Sequence, residues 1–171
     1  GGGMIYIFES NASLSYMTIK ENFGYGISTE ASEPTISYTI IKDNSGGGIF
    51  MQSSNSIMDS ITVENNFLAS HGEWAGQSGK GIESHNSAFL LTNSTISGNN
   101  SWQSGGGMHL SGSDAIITNV TIENNTVFLN GGGIYMQSSS PIFTNVTINN
   151  NLAEAEDSEG GGVFGEDSAP T

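Results

Sequence analysis

The stretch GGGIYMQSSSPIFTNVTINNN, from Gly131 to Asn151, decides the fold. Its glycines make a turn, after which Ile134-Tyr135-Met136 reads as a short strand with alternating faces. Ser138-Ser139-Ser140-Pro141 is turn chemistry, since Pro141 has no N–H to give to a ladder. Ile142-Phe143 come next, and then Asn145-Val146-Thr147-Ile148, in which Val146 and Ile148 share one face and Thr147 takes the other. Three short strands and three bends result. Helix is excluded by the Gly, Asn, Ser and β-branched content and by the lack of any sustained 3.6-residue apolar period.

The same unit recurs along the chain. Six aliphatic pairs stand 14 residues apart: Ile5/Ile19, Ile27/Ile41, Ile49/Val63, Ile82/Ile96, Met108/Ile122 and Ile134/Ile148. Three residues after each pair comes an asparagine: Asn22, Asn44, Asn66, Asn99, Asn125 and Asn151. A fixed register of this kind marks a solenoid, because no single repeat can bury its own apolar face. Stacked, the repeats give three apolar columns. The first starts at Ile5 and runs to Ile134 and Val163, and the second runs from Ile19 to Ile148. The third comes from the middle strand: Leu14, Ile36, Met58, Leu91, Ile117 and Phe143. The expected fold is all-β, a three-sided parallel β-helix of about six to seven coils with three short strands per coil. The asparagines form an internal ladder in it, each amide donating to the next coil and accepting from the one before.

The GGGIY and TIxxN segments resemble the GGA[I/L/V] and FxxN repeats of bacterial polymorphic outer-membrane and autotransporter passenger proteins, and more broadly right-handed parallel β-helices of the pectate-lyase type. The resemblance runs through Gly47-Gly48-Ile49-Phe50, Gly106-Gly107-Met108-His109 and Gly132-Gly133-Ile134-Tyr135. It departs in having Ile or Val where the family often has Phe. It implies a right-handed coil, and it specifies architecture far more than activity.

Composition narrows the function. The chain has 171 residues, three lysines, no arginine, no cysteine and a formal charge of -14. Nucleic-acid binding needs fixed cations, so it is excluded, and docking on anionic lipid is disfavoured. Disulfides and thiolate metal sites are absent. No apolar run is long enough to insert in a membrane. Residues 1–171 read as one β-helix segment that begins and ends inside repeats, so a longer parent protein is expected, with flanking coils or like subunits covering the open ends.

Variation is confined to one turn. From each ladder asparagine to the next aliphatic residue the connection is 5, 5, 16, 9, 9 and 12 residues. The longer loops, 67–81, 100–106, 126–132 and 152–161, are expected to project from one edge, which is commonly the binding face of a repeat protein. Phe67, His71, Trp74, Trp102 and Phe128 lie on these loops and are the candidate binding edge for carbohydrate or a cell-surface protein. Glu154, Glu156, Asp157 and Glu159 form an acidic run that is the one candidate for Ca²⁺.

No catalytic constellation stands out. Lys20 and Lys42 stack beside Glu21 and Asp43 as solvated turn charges, Glu21, Asp43, Glu64 and Glu123 lack a His or Asp companion, and His71, His85 and His109 occupy different coil positions without ligand spacing. N-x-[S/T] sequons place Asn93, Asn119 and Asn145 in one outward column, with Asn11 and Asn124 elsewhere; in a secreted eukaryotic or archaeal protein these would accept glycans. The expected function is a non-enzymatic structural or adhesive stalk, secreted or on the cell surface. The alternative is a polysaccharide-binding or polysaccharide-degrading β-helix.

Overall fold

The computed structural model of the chain describes residues 5–67 and 80–171. Every strand pairing among them is parallel, and the strands stack in chain order. The first sheet comprises Ile5–Phe8, Tyr25–Glu30, Gly47–Gln52, Ile82–His85, Met108–Ser111, Ile134–Gln137 and Val163–Glu166. The second holds Ser13–Ser15, Thr35–Ser37, Ile57–Asp59 and Leu90–Thr92, and the third holds Thr18–Lys20, Ile40–Lys42, Thr62–Glu64 and Thr95–Ser97. In the next two coils one long strand, Ile116–Glu123 and then Ile142–Asn149, bends through both of these sheets.

Register follows the aliphatic columns. Ile5 pairs with Ile27, Ile27 with Ile49, Ile49 with Ile82, Ile82 with Met108, Met108 with Ile134 and Ile134 with Val163. The longest connection therefore leaves the ladder in step. In the inner coils Ile27, Ile49, Ile82, Ile36, Met58, Leu91, Ile41, Val63 and Ile96 are 0% exposed, which is the continuous core a solenoid builds from residues that no single coil could cover. Ile5, Leu14, Phe143 and Ile148 belong to outer coils with one neighbour and are only partly buried.

Each bend uses a residue in the left-handed region followed by a side chain turned inward. Asn93, Asn119 and Asn145 (φ 51°, 56° and 52°) turn the chain between the second and third sheets, and Asn65, Asn124 and Asn150 (φ 53°, 55° and 50°) turn it after the third. Asparagine tolerates this conformation better than most residues, which explains the pairs Asn65-Asn66, Asn124-Asn125 and Asn150-Asn151; before Asn99 the same position is taken by Gly98 (φ 63°). The expected ladder is present. Asn22, Asn44, Asn66, Asn99 and Asn125 each donate through Nδ2 to the next Oδ1 at 2.8–3.0 Å. Each backbone N–H also donates to the same Oδ1, and the Nδ2 of Asn44 through Asn151 reaches back to a carbonyl of the preceding coil.

A second ladder was not expected. Ser10, Ser32, Ser54, Ser87 and Ser113 donate their backbone N–H to the Oγ of the serine one coil on, at 2.9–3.2 Å. Those hydroxyls in turn donate to the carbonyl two residues before them, as Ser54 does to Gln52 at 3.0 Å. The glycines before Ile27, Ile49, Ile82, Met108 and Ile134 are also accounted for. A Cβ on Gly107 would stand 2.6 Å from the Gly133 carbonyl oxygen and 2.9 Å from Asn125 Nδ2, so only glycine lets the coils close over the amide ladder.

Where they are described, the longer connections differ from free projecting loops. Asn100–Ser101, Thr126–Val127 and Leu152–Ala153 form a short fourth sheet, and Phe67 bridges to Asn100. Backbone ladders thus continue into the first residues of the insertions, since a coil side left open would carry unpaired polar groups.

Candidate functional site

The outer face of the first sheet carries two columns. One position after each core aliphatic residue stand Tyr6, Ser28, Phe50, Glu83, His109, Tyr135 and Phe164, and two positions further along stand Phe8, Glu30, Gln52, His85, Ser111, Gln137 and Glu166. The first is aromatic except at Ser28 and Glu83. Tyr25 fills the gap above Ser28, and His85 leans across to fill the one at Glu83. An unbroken row of rings follows: Tyr25–Phe50, Phe50–His85, His85–His109, His109–Tyr135 and Tyr135–Phe164 have centroids 5.2, 5.7, 5.7, 4.9 and 5.6 Å apart. The first four pairs tilt by 39–46°, so these rings do not close into a parallel stack. All six are half-buried.

At the centre of the row lies a polar cluster. Lys80, next to last in the longest connection, enters where neighbouring coils have glycine, and its Nζ lies 2.9 Å from Glu83 Oε1. His85 Nε2 is 3.0 Å from the same oxygen, and the Tyr25 hydroxyl donates to Oε2. Gly47 makes that last contact possible. Its missing side chain leaves room for the Tyr25 ring, which a Cβ there would meet at 2.5 Å, so the tyrosine reaches a carboxylate two coils away. Lys80 is 1% exposed and Glu83 6%.

Burial shapes the protonation of the cluster. Burial alone would push the Glu83 carboxyl up, but the His85, Lys80 and Tyr25 donors outweigh it and hold the pKa far below the ordinary carboxylate range. Burial lowers the Lys80 ammonium pKa against the attraction of Glu83. His109 is pushed down to about 4 by burial first and by the Lys80 charge second. The ring is therefore neutral at pH 7, and its Nδ1–H donates to the Ser104 carbonyl at 3.1 Å. Glu83 is thus a fixed anion with both oxygens engaged, which suits it to holding groups in place and not to giving up a proton.

This cluster escaped the sequence. His85 and His109 do occupy different register positions, as expected, but they are diagonal neighbours across adjacent strands, so their rings meet. The usable signals were a lone lysine in a glycine column and a lone glutamate in an aromatic one. Lys20 and Lys42 behave as expected, with Lys20 3.0 Å from Glu21 and Lys42 3.9 and 3.8 Å from Asp43 and Glu64, all on the surface.

On the candidate binding edge, Trp102 and Phe128 come together with centroids 5.6 Å apart, and Phe67 lies on the preceding coil, all about 40% exposed. His71 and Trp74 lie outside the described residues. Asn93, Asn119 and Asn145 are exposed and linked in file: Asn145 donates to Asn119 at 2.8 Å, Asn119 to Asn93 at 3.1 Å, and Asn93 to Asp59 at 2.7 Å. Asn11 accepts from the Glu33 N–H at 3.1 Å, and Asn124 is exposed at its bend. Glu154, Glu156, Asp157 and Glu159 all point to solvent, and among the described residues no three His, Asp or Glu groups are placed to hold a metal ion.

Parallel sheets wound around one core, with amide and hydroxyl ladders inside the bends, define a parallel β-helix. A family model described as "Right handed beta helix region" matches residues 1–75 and again 60–171, and the chain belongs to that family. None of the curated proteins compared with it matches.

Proposed function

We propose that the protein is a stiff, non-enzymatic rod of the cell exterior that adheres through the outer face of its first sheet. The observation that carries this is the row of rings from Tyr25 to Phe164, which lies beside a polar column along the rod axis. Rings with adjacent hydrogen-bonding groups are what carbohydrate-contacting surfaces use, and a straight, rigid scaffold presents them without an ordering cost. The charge of -14 suits a solvated exterior protein and argues against anionic partners. The Trp102–Phe128 pair, one bend before the first sheet along the chain, offers a second aromatic contact.

A second function, processing of a polysaccharide, is favoured by the cluster around Glu83. Against it stand the three donors that saturate this carboxylate and the nearly complete burial of Lys80. The test is retention of the purified protein on a panel of immobilised polysaccharides, run beside an assay for new reducing ends and unsaturated products. Adhesion predicts retention that Phe50→Ala and Tyr135→Ala weaken, with product at blank level. Turnover that disappears in Glu83→Gln would overturn the non-enzymatic assignment.

A further inference from the structure

We infer that the ligand of this face is a neutral polysaccharide chain lying along the solenoid axis, with about one sugar ring per coil; this rests on the adhesion proposed above. Coils repeat about every 4.8 Å in a parallel ladder, and the ring centroids keep nearly the same interval, 4.9–5.7 Å, over six rings. An axial polymer therefore meets a ring at every step, paired with a polar side chain in every coil but that of Glu83, where His85 of the polar column itself supplies the ring. A pyranose ring matches that pair, with C–H faces for the aromatic row and hydroxyls for the polar column.

The polar column sets the charge of the ligand. In the middle coils it offers Gln52, Ser111 and Gln137, whose amides and hydroxyl both donate and accept, as hydroxyl recognition requires. Among the described residues no free cation faces a ligand here. Lys80 is 1% exposed and tied to Glu83, His109 is neutral at pH 7, and Lys20 and Lys42 belong to the third sheet. Glu30, next to the Phe8 end, and Glu166, at the other end, flank the column, so a uronate or sulfated chain would meet like charge without compensation. A peptide adding as an extra strand is disfavoured as well, because this is a face whose inner strands are paired on both sides.

The whole chain is titrated with neutral, uronate-bearing and amine-bearing oligosaccharide ladders at low and moderate salt. Affinity for the neutral series should rise with length to roughly six sugars, level off and stay unchanged by salt. Phe50→Ala and Tyr135→Ala should each weaken it on the order of tenfold, the loss expected of a central aromatic contact. Phe50→Tyr should retain binding, and Lys20→Gln on the third sheet should leave it unaltered, with thermal melts confirming that each variant is folded. Ring-dependent binding stronger for the uronate or amine-bearing series overturns the neutral-ligand inference alone. Failure to bind any of the three series overturns the adhesion proposal beneath it.

Discussion

Single residues carry more of this molecule's logic than a repeat suggests. Thr29 stands in an inward first-sheet position at 0% exposure, aligned with Ile7 and Met51, and its hydroxyl has no partner among the described residues. An unsatisfied buried hydroxyl costs about 1–3 kcal/mol, and valine has the same shape. Thr29→Val should therefore raise stability by about 1 kcal/mol in a denaturant titration; a loss would mean that the hydroxyl has a partner after all. His109 gives a pH prediction. Its folded pKa of about 4 lies below the ordinary 6.5, so between these values the unfolded chain binds more protons and stability drops as pH falls. The drop between pH 7 and 5 should be about 2 kcal/mol. His109→Phe keeps the ring without the titration and should flatten that slope. Glu83 does not confuse the measurement: a depressed carboxylate contributes its stability above the unfolded pKa, near 4.5, and loses it only at lower pH.

Within one coil, the elements that could be read in advance are those whose residues recur at a fixed offset. Strand positions and the asparagine ladder follow from aliphatic and amide columns that no insertion disturbs, because each insertion enters at one turn and leaves the register intact. The serine ladder obeys the same register but hides among the serines of every other bend. The Glu83 cluster is harder still. Its Tyr25 contact spans 58 residues, and Lys80 follows a connection whose length conceals its coil position. Long-range tyrosine contacts recur, with Tyr6 donating to Glu30 at 2.6 Å and Tyr135 to Glu166 at 2.9 Å, but each is fixed by the tertiary stack alone. The two ladders should also differ in strength. Asn66 donates to Asn99 at 3.0 Å and to the Ile41 carbonyl at 3.1 Å while accepting from Asn44, all at 0% exposure. Asn66→Ala leaves several buried groups unpaired and should cost about 3–4 kcal/mol, whereas Ser54→Ala removes a single hydroxyl and should cost about 1–2 kcal/mol. Equal losses in paired unfolding curves would mean that the amide network contributes no more than its serine counterpart.

For the molecule as a whole, charge is the opposing term to this cohesion. Acidic residues number 17 against three lysines. Lys80 is buried with Glu83, so among the described residues the surface ion pairs of lysine reduce to Lys20 with Glu21 and Lys42 with Asp43 and Glu64. Exposed pairs of this kind contribute roughly 0–1 kcal/mol each, which is too little to offset repulsion among the remaining carboxylates along a narrow rod. That repulsion acts between exposed charges and is screened over about 10 Å at 0.1 M salt. Net electrostatics should therefore oppose the fold, and raising sodium chloride from about 10 to 200 mM should increase the thermal midpoint. The opposite sign is expected of a protein held together by surface ion pairs. A midpoint that falls with salt would show that the two exposed lysines matter more than the excess carboxylates. The buried Lys80–Glu83 pair separates the two contributions further: Lys20→Gln should change the salt slope, while Lys80→Met, by leaving Glu83 short of a partner, should lower the midpoint by a similar amount at every salt concentration.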